Sequence, residues 1–145
     1  MVAKAGNELE DDMKTTVAGQ NDRQAMRVLV VDDNRPSAQT LAWVMELNGY
    51  EVRACFDGQS AVETARAFHP DVVLLDLGMP KMDGYEVCRR LRQDETLADT
   101  LVIAQTGWGG DAERRRTAAV GFNHHMTKPV DFNVLLQLIG DRTVH

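Results

Sequence analysis

Three runs of four apolar residues constrain the fold most: Val28-Leu29-Val30-Val31, Val72-Val73-Leu74-Leu75 and Leu101-Val102-Ile103-Ala104. They are continuous rather than alternating, the pattern of strands covered on both faces. Segments with apolar residues at helical spacing lie between them. Ala38, Leu41, Ala42 and Met45 mark a helix after the first run, with Pro36 in its first turn and Gly49 closing it. Residues 51–55 read as a short strand and residues 60–68 as a helix, ended by Pro70. Asp83 is placed to cap a third helix, with Glu86 three residues on as its capping-box partner. Asp111 or Gly110 opens a fourth helix, which ends at Gly121. Residues 123–127 form a fifth strand, and Asp131 caps a last helix that shows Phe132, Leu135, Leu136 and Ile139 on one face.

Strand and helix thus alternate five times. The expectation is an α/β fold, (βα)5, with a doubly wound five-stranded parallel sheet covered on both faces. The 145 residues suit one domain. The regular pattern occupies residues 27–142. Residues 1–26 hold Glu8, Glu10, Asp11, Asp12 and few large apolar side chains, so they read as a flexible N-terminal tail with a transient helix over residues 9–17. No apolar run is long enough to span a membrane, and the N-terminus has no signal-peptide stretch. Cys55 and Cys88 are too few for a disulfide framework and lack metal-ligand spacing, which predicts free thiols in a reducing compartment. A cytoplasmic protein is expected. The formal net charge of −6 argues against a domain built mainly to grip nucleic acid.

Parallel sheets of this kind carry their sites at the carboxyl ends of the strands. Asp32 and Asp33 follow the first strand, Asp76 the third, Thr106 the fourth and Lys128 the fifth. Each residue alone has a plain structural explanation, such as a helix cap or a surface charge. Together they bring three carboxylates, a hydroxyl and an ammonium to one edge. Crowded carboxylates repel, and a hard divalent cation resolves the repulsion. Oxygen ligands without His or Cys favour Mg²⁺. Lys128 and Thr106 add the positive charge and the donor that phosphoryl transfer needs, and aspartate is a competent nucleophile toward phosphorus.

On these residues the chain resembles the response-regulator receiver domains of two-component signalling. The match runs through Val28-Leu29-Val30-Val31-Asp32-Asp33-Asn34, Asp71-Val72-Val73-Leu74-Leu75-Asp76-Leu77-Gly78-Met79-Pro80, Met82-Asp83-Gly84-Tyr85-Glu86, residues 103–107 and Thr127-Lys128-Pro129. The resemblance implies a flavodoxin-like strand order 2-1-3-4-5. It implies that Asp76 accepts a phosphoryl group from a phosphohistidine. Asp33, Asp76 and the backbone carbonyl of Gly78 would bind Mg²⁺ directly, and Asp32 through water. Lys128 would contact the phosphoryl oxygens and Thr106 would move to meet them. The Lys128–Pro129 peptide would be cis, and Gly84 would take a positive φ.

The switch position three residues before Lys128 is usually aromatic; here it is His125. It is either a rotating, titratable partner of Thr106 or a polar surface residue near the sheet edge. Trp108 would shield the phosphoryl group, present a docking surface or pack partly on its own loop. Arg114-Arg115-Arg116 is either a solvated helix face or a partner or phosphate contact. The segment from Thr106-Gly107-Trp108 to His124-His125 resembles receivers attached to hybrid histidine kinases.

The implied partners are a histidine kinase or a histidine phosphotransfer protein, and a downstream protein that docks on the face of the fourth helix, fifth strand and fifth helix. The state would be a monomer or a phosphorylation-dependent dimer. No output domain, nucleic acid or membrane partner is expected. Alternatives are a phosphate sink, a relay intermediate or a non-catalytic structural receiver. An aspartate-nucleophile phosphatase would need a second Asp where Gly78 stands, and no G-x-x-x-x-G-K-[ST] loop is present, so turnover of an external substrate is not expected.

Overall fold

The computed structural model describes residues 25–144. The expected tail lies outside them, save for its last two residues, as does its helix over residues 9–17. In chain order the elements are β1 (Arg27–Val31), α1 (Arg35–Leu47), β2 (Glu51–Cys55), α2 (Gly58–Phe68), β3 (Val72–Asp76), α3 (Gly84–Gln93), a 3-10 turn (Glu95–Leu97), β4 (Leu101–Thr106), α4 (Asp111–Val120), β5 (His124–Thr127) and α5 (Phe132–Val144). All strand pairings are parallel, in the order β2-β1-β3-β4-β5. The predicted class and strand order are those observed.

The apolar runs fall where the sheet is covered twice. Val28, Leu29, Val30 and Val31 are fully buried, as are Val72, Val73, Leu74 and Leu75. Alternate residues serve opposite layers. Leu29, Val31, Val73 and Leu75 pack with Val62 and Ala65 of α2 and Val87 and Leu91 of α3. Val28, Val30, Val72, Leu74 and Ile103 pack with Leu41 and Met45 of α1 and Leu135 and Ile139 of α5. Each such side chain contributes about 1.5–3 kcal/mol by leaving water. The edge strands are more polar: Glu51 and Arg53 of β2 and His124 and Thr127 of β5 are exposed. Cys55 and Cys88 are buried free thiols, and burial raises the Cys88 thiol to about 11.

Helix starts follow local side-chain chemistry. Asn34 caps α1 by accepting from Ser37 N, with Pro36 in the first turn. Asp57 accepts from Ser60 N at 2.8 Å, so α2 begins at Gly58, earlier than its apolar spacing indicates. The side chain of Asn123 accepts from Val102 N at 2.7 Å in place of a strand carbonyl, and β5 begins one residue later than expected. Two expectations near α3 are corrected. Asp83 Oδ1 accepts from Glu86 N at 3.0 Å, but the Glu86 carboxylate turns to Arg89 and Arg90, so only one arm of the capping box forms. Positive φ among the described glycines belongs to Gly49 and Gly121, not Gly84. Gly84 is there for space: a Cβ would lie 2.5 Å from the carbonyl oxygen of Asp76.

Candidate functional site

The carboxyl ends of β1 and β3 stand side by side, because Val31 pairs with Leu75 in register. The next residues therefore place Asp32 and Asp76 together, with Asp33 beside them. One oxygen from each of Asp32, Asp33 and Asp76 falls within 4.8 Å of the others. Asp32 and Asp76 are buried, at 4% and 6% exposure, while Asp33 faces solvent. The Asn34 amide donates to Asp32 Oδ1 at 3.0 Å. The Gly78 amide reaches Asp76 Oδ1 at a longer 3.4 Å.

Lys128 arrives from β5 through a cis Lys128–Pro129 peptide. Its Nζ lies 3.0 Å from Asp32 Oδ2 and 3.1 Å from Asp76 Oδ1. One ammonium among three carboxylates neutralises them incompletely. Burial, then the charge of Asp32, raises the pKa of the Asp76 carboxyl above its ordinary value, against the pull of Lys128. Burial works against the charge of Lys128, but its bonds to Asp32 and Asp76 outweigh burial and raise its pKa. The donor set is all oxygen, anionic and partly open to solvent, which fits a hard divalent cation.

Thr106 ends β4 and is buried, but its hydroxyl is engaged away from the carboxylates. It donates to Glu113 Oε1 on α4 at 3.1 Å and accepts from Trp108 N at 3.1 Å. Glu113 Oε2 also accepts from the Tyr85 hydroxyl at 3.5 Å. Nothing in the spacing of the sequence marks Glu113, because its place depends on the rotation of α4 over the sheet. His125 is not a surface residue: its side chain is only 5% exposed and packs beneath α4. Trp108 is 72% exposed. Arg114 donates to Gly109 O, and Arg116 sits 3.8 Å over the Tyr85 ring, so two of the three arginines are tied into the protein. A cleft of about 640 Å³ opens beside the carboxylates, lined by Pro36, Thr40, Gln105, Lys128 and Phe132 among others. No helix among the described residues is long and apolar enough to cross a membrane.

A sequence model of the response regulator receiver domain matches residues 28–140. The chain is 34% identical over 110 residues to the DNA-binding dual master transcriptional regulator RpaA of Synechocystis, covering 76% of this chain and 46% of that protein. It is 37% identical over 117 residues to the response regulator PleD of Caulobacter vibrioides, covering 81% of this chain and 26% of that protein. The chain thus spans less than half the length of these relatives. Among solved structures, the chemotaxis protein CheY4 of Vibrio cholerae superposes with a TM-score of 0.77 at 27% identity, covering 81% of this chain and 98% of that one. The signal receiver domain of a DNA-binding response regulator from Colwellia psychrerythraea gives 0.77 at 28% identity, covering 83% and 99%.

Proposed function

The chain belongs to the response-regulator receiver domain family, and from its site we propose that it takes a phosphoryl group on Asp76 from a phosphohistidine donor. The observation that carries this reading is the buried Asp76 carboxylate with Lys128 Nζ 3.1 Å away and two further carboxylates alongside. An Asp76 oxygen attacks phosphorus, the phosphorus–nitrogen bond breaks, and the imidazole leaves with the electron pair. Lys128 is held ready to contact the phosphoryl oxygens and offset the charge that spreads over them.

Asp33, Asp76 and the Gly78 carbonyl would hold Mg²⁺ directly, and Asp32 through water. When bound, the ion neutralises the crowded carboxylates and the incoming phosphoryl oxygens. The Gly107 position, where a Cβ would meet nothing within 4 Å, keeps the approach open. Thr106 then turns to the phosphoryl group, and with His125 it shifts the packing of α4 and β5.

In this reading residues 27–142 are the receiver unit and residues 1–26 a tail. The donor is a histidine kinase or a histidine phosphotransfer protein in the cytoplasm. The output is a protein contact, and the chain does not turn over external substrates. The role of phosphate sink or relay intermediate shares the same chemistry at Asp76.

The test is intact mass after incubation with acetyl phosphate, with and without Mg²⁺. A Mg²⁺-dependent phosphoryl adduct that vanishes in Asp76→Asn is expected. An adduct that survives that substitution rejects the assignment of Asp76, and no adduct favours a structural receiver.

A further inference from the structure

Glu113 stands between three groups. Its Oε1 accepts from the Thr106 hydroxyl at 3.1 Å, its Oε2 from the Tyr85 hydroxyl at 3.5 Å, and His125 Nε2 lies 4.0 Å from Oε1. That Nε2 is buried and has no hydrogen-bond partner among the described residues. The tautomer explains why. Thr117 has one hydroxyl proton, and it goes to the Arg114 carbonyl at 2.9 Å. With that proton so placed, Thr117 Oγ1 can only accept from His125 Nδ1, 3.3 Å away, which assigns the ring proton to Nδ1; in the opposite tautomer Nδ1 would accept from Thr117 and Nε2–H would face Glu113. With the proton on Nδ1, the neutral ring presents a lone pair at Nε2 to a carboxylate oxygen, which cannot bond to it. A proton gained from solvent at Nε2 would turn this contact into a charge-assisted hydrogen bond.

We propose that Glu113 is the positioning residue that holds Thr106 in its phosphate-free place, and that His125, protonated at Nε2, takes over the same carboxylate oxygen when Thr106 leaves for the phosphoryl group. This rests on the reading of Asp76 as the phosphoacceptor. When Thr106 turns away, a half-buried carboxylate loses a donor, which is unfavourable unless another replaces it. The imidazolium is the replacement within reach. Phosphoryl capture and proton uptake at His125 therefore support each other, and by linkage each raises the affinity for the other. Lower pH favours the phosphorylated packing.

The surrounding charges allow this. On α4, Glu113 attracts the imidazolium, and Arg114, which lines the same small hollow, opposes it while donating to Gly109 O. On β5, His124 is exposed and Lys128 is drawn away to Asp32 and Asp76. The residue paired with His125 on β4 is Ala104, which carries no charge. On α3, Tyr85 shares the Glu113 carboxylate through its hydroxyl, with Arg116 over its ring.

The test uses the full chain with Mg²⁺ and beryllofluoride as the phosphoryl mimic. The apparent Kd is measured from pH 8 to pH 6 for the parent, His125→Phe, Glu113→Gln and Glu113→Ala. Relative to His125→Phe, the parent gains affinity about 5-fold or more on acidification. Glu113→Gln keeps an acceptor for Thr106 but no charge for His125, so it loses that gain. Glu113→Ala frees Thr106 and binds more tightly than the parent at pH 8. Ring ¹⁵N shifts give a second readout: proton on Nδ1 in the free protein, on both nitrogens with beryllofluoride at pH 6. Equal pH profiles for the parent and His125→Phe overturn the proposal, as does an Nε2–H tautomer in the free protein. Intact mass separates the two readings. An Asp76 adduct with flat pH behaviour rejects this proposal alone, whereas no adduct in the parent rejects both.

Discussion

At the scale of single residues, Asp76 is held under electrostatic tension. Its buried carboxyl sits beside Asp32, and Lys128 is shared between them. A raised folded-state pKa means the protonated form suits the fold better. The stability it contributes is present below the ordinary aspartate range, near 3.8, and is lost as pH rises through the raised value. Metal-free protein should therefore lose stability as the pH climbs out of that range, and Mg²⁺ should restore it at neutral pH. Asp76→Asn removes the charge without the shape. It should raise the metal-free melting temperature by a few degrees, about 1 kcal/mol, and reduce the stabilisation by Mg²⁺ in a thermal scan. An unchanged or lower melting temperature would contradict the tension described. Lys128→Met keeps the stem and removes the ammonium. Adduct formation from acetyl phosphate should then slow by about 10²-fold, measured by intact mass against time. A rate within twofold of the parent would show that Lys128 is only a surface charge.

At the scale of elements, the turn from β3 into α3 and the anchoring of α4 matter most. Gly84 packs against the backbone of Asp76, where a Cβ would come within 2.5 Å of a carbonyl oxygen that cannot rotate aside. Gly84→Ala should cost about 1–3 kcal/mol in urea unfolding and disturb the site with it. A neutral effect would mean that the turn has slack. Helix α4 is held differently from its neighbours. Thr117 is its only buried residue, whereas α3 buries Tyr85, Val87, Cys88 and Leu91. Polar links through Glu113, Arg114 and Arg116 fasten the rest. Native-state amide exchange should be faster in α4 than in α1, α2 or α3. Protection of α4 equal to that of α3 would remove it as the moving part. Here the limit of the sequence is plain. The strands and the capping aspartates are local signals, so Val28-Leu29-Val30-Val31 and Asp83 were legible. The purpose of Gly84 was not, because a close approach between β3 and α3 leaves no mark on local spacing.

At the scale of the whole molecule, the sheet is the device that turns distant residues into neighbours. Lys128 and Asp32 are 96 positions apart and bonded at 3.0 Å. Their meeting was readable because alternating strands and helices put every strand end on one edge. The second layer was hidden: Glu113, Tyr85, Thr117 and His125 meet only once α4 is laid over β4 and β5 at a particular rotation. The fold thus has a buried acidic site at one edge and a polar linkage leading from Thr106 into its least anchored helix. Whether Asp76 takes the phosphoryl group can be read chemically. The phosphorylated chain is reduced with borohydride, which converts an aspartyl phosphate to homoserine, then digested and sequenced by mass spectrometry. Homoserine is expected at position 76 alone, formed only when Mg²⁺ was present during phosphorylation. Homoserine at position 32 or 33, or at no aspartate, would contradict it.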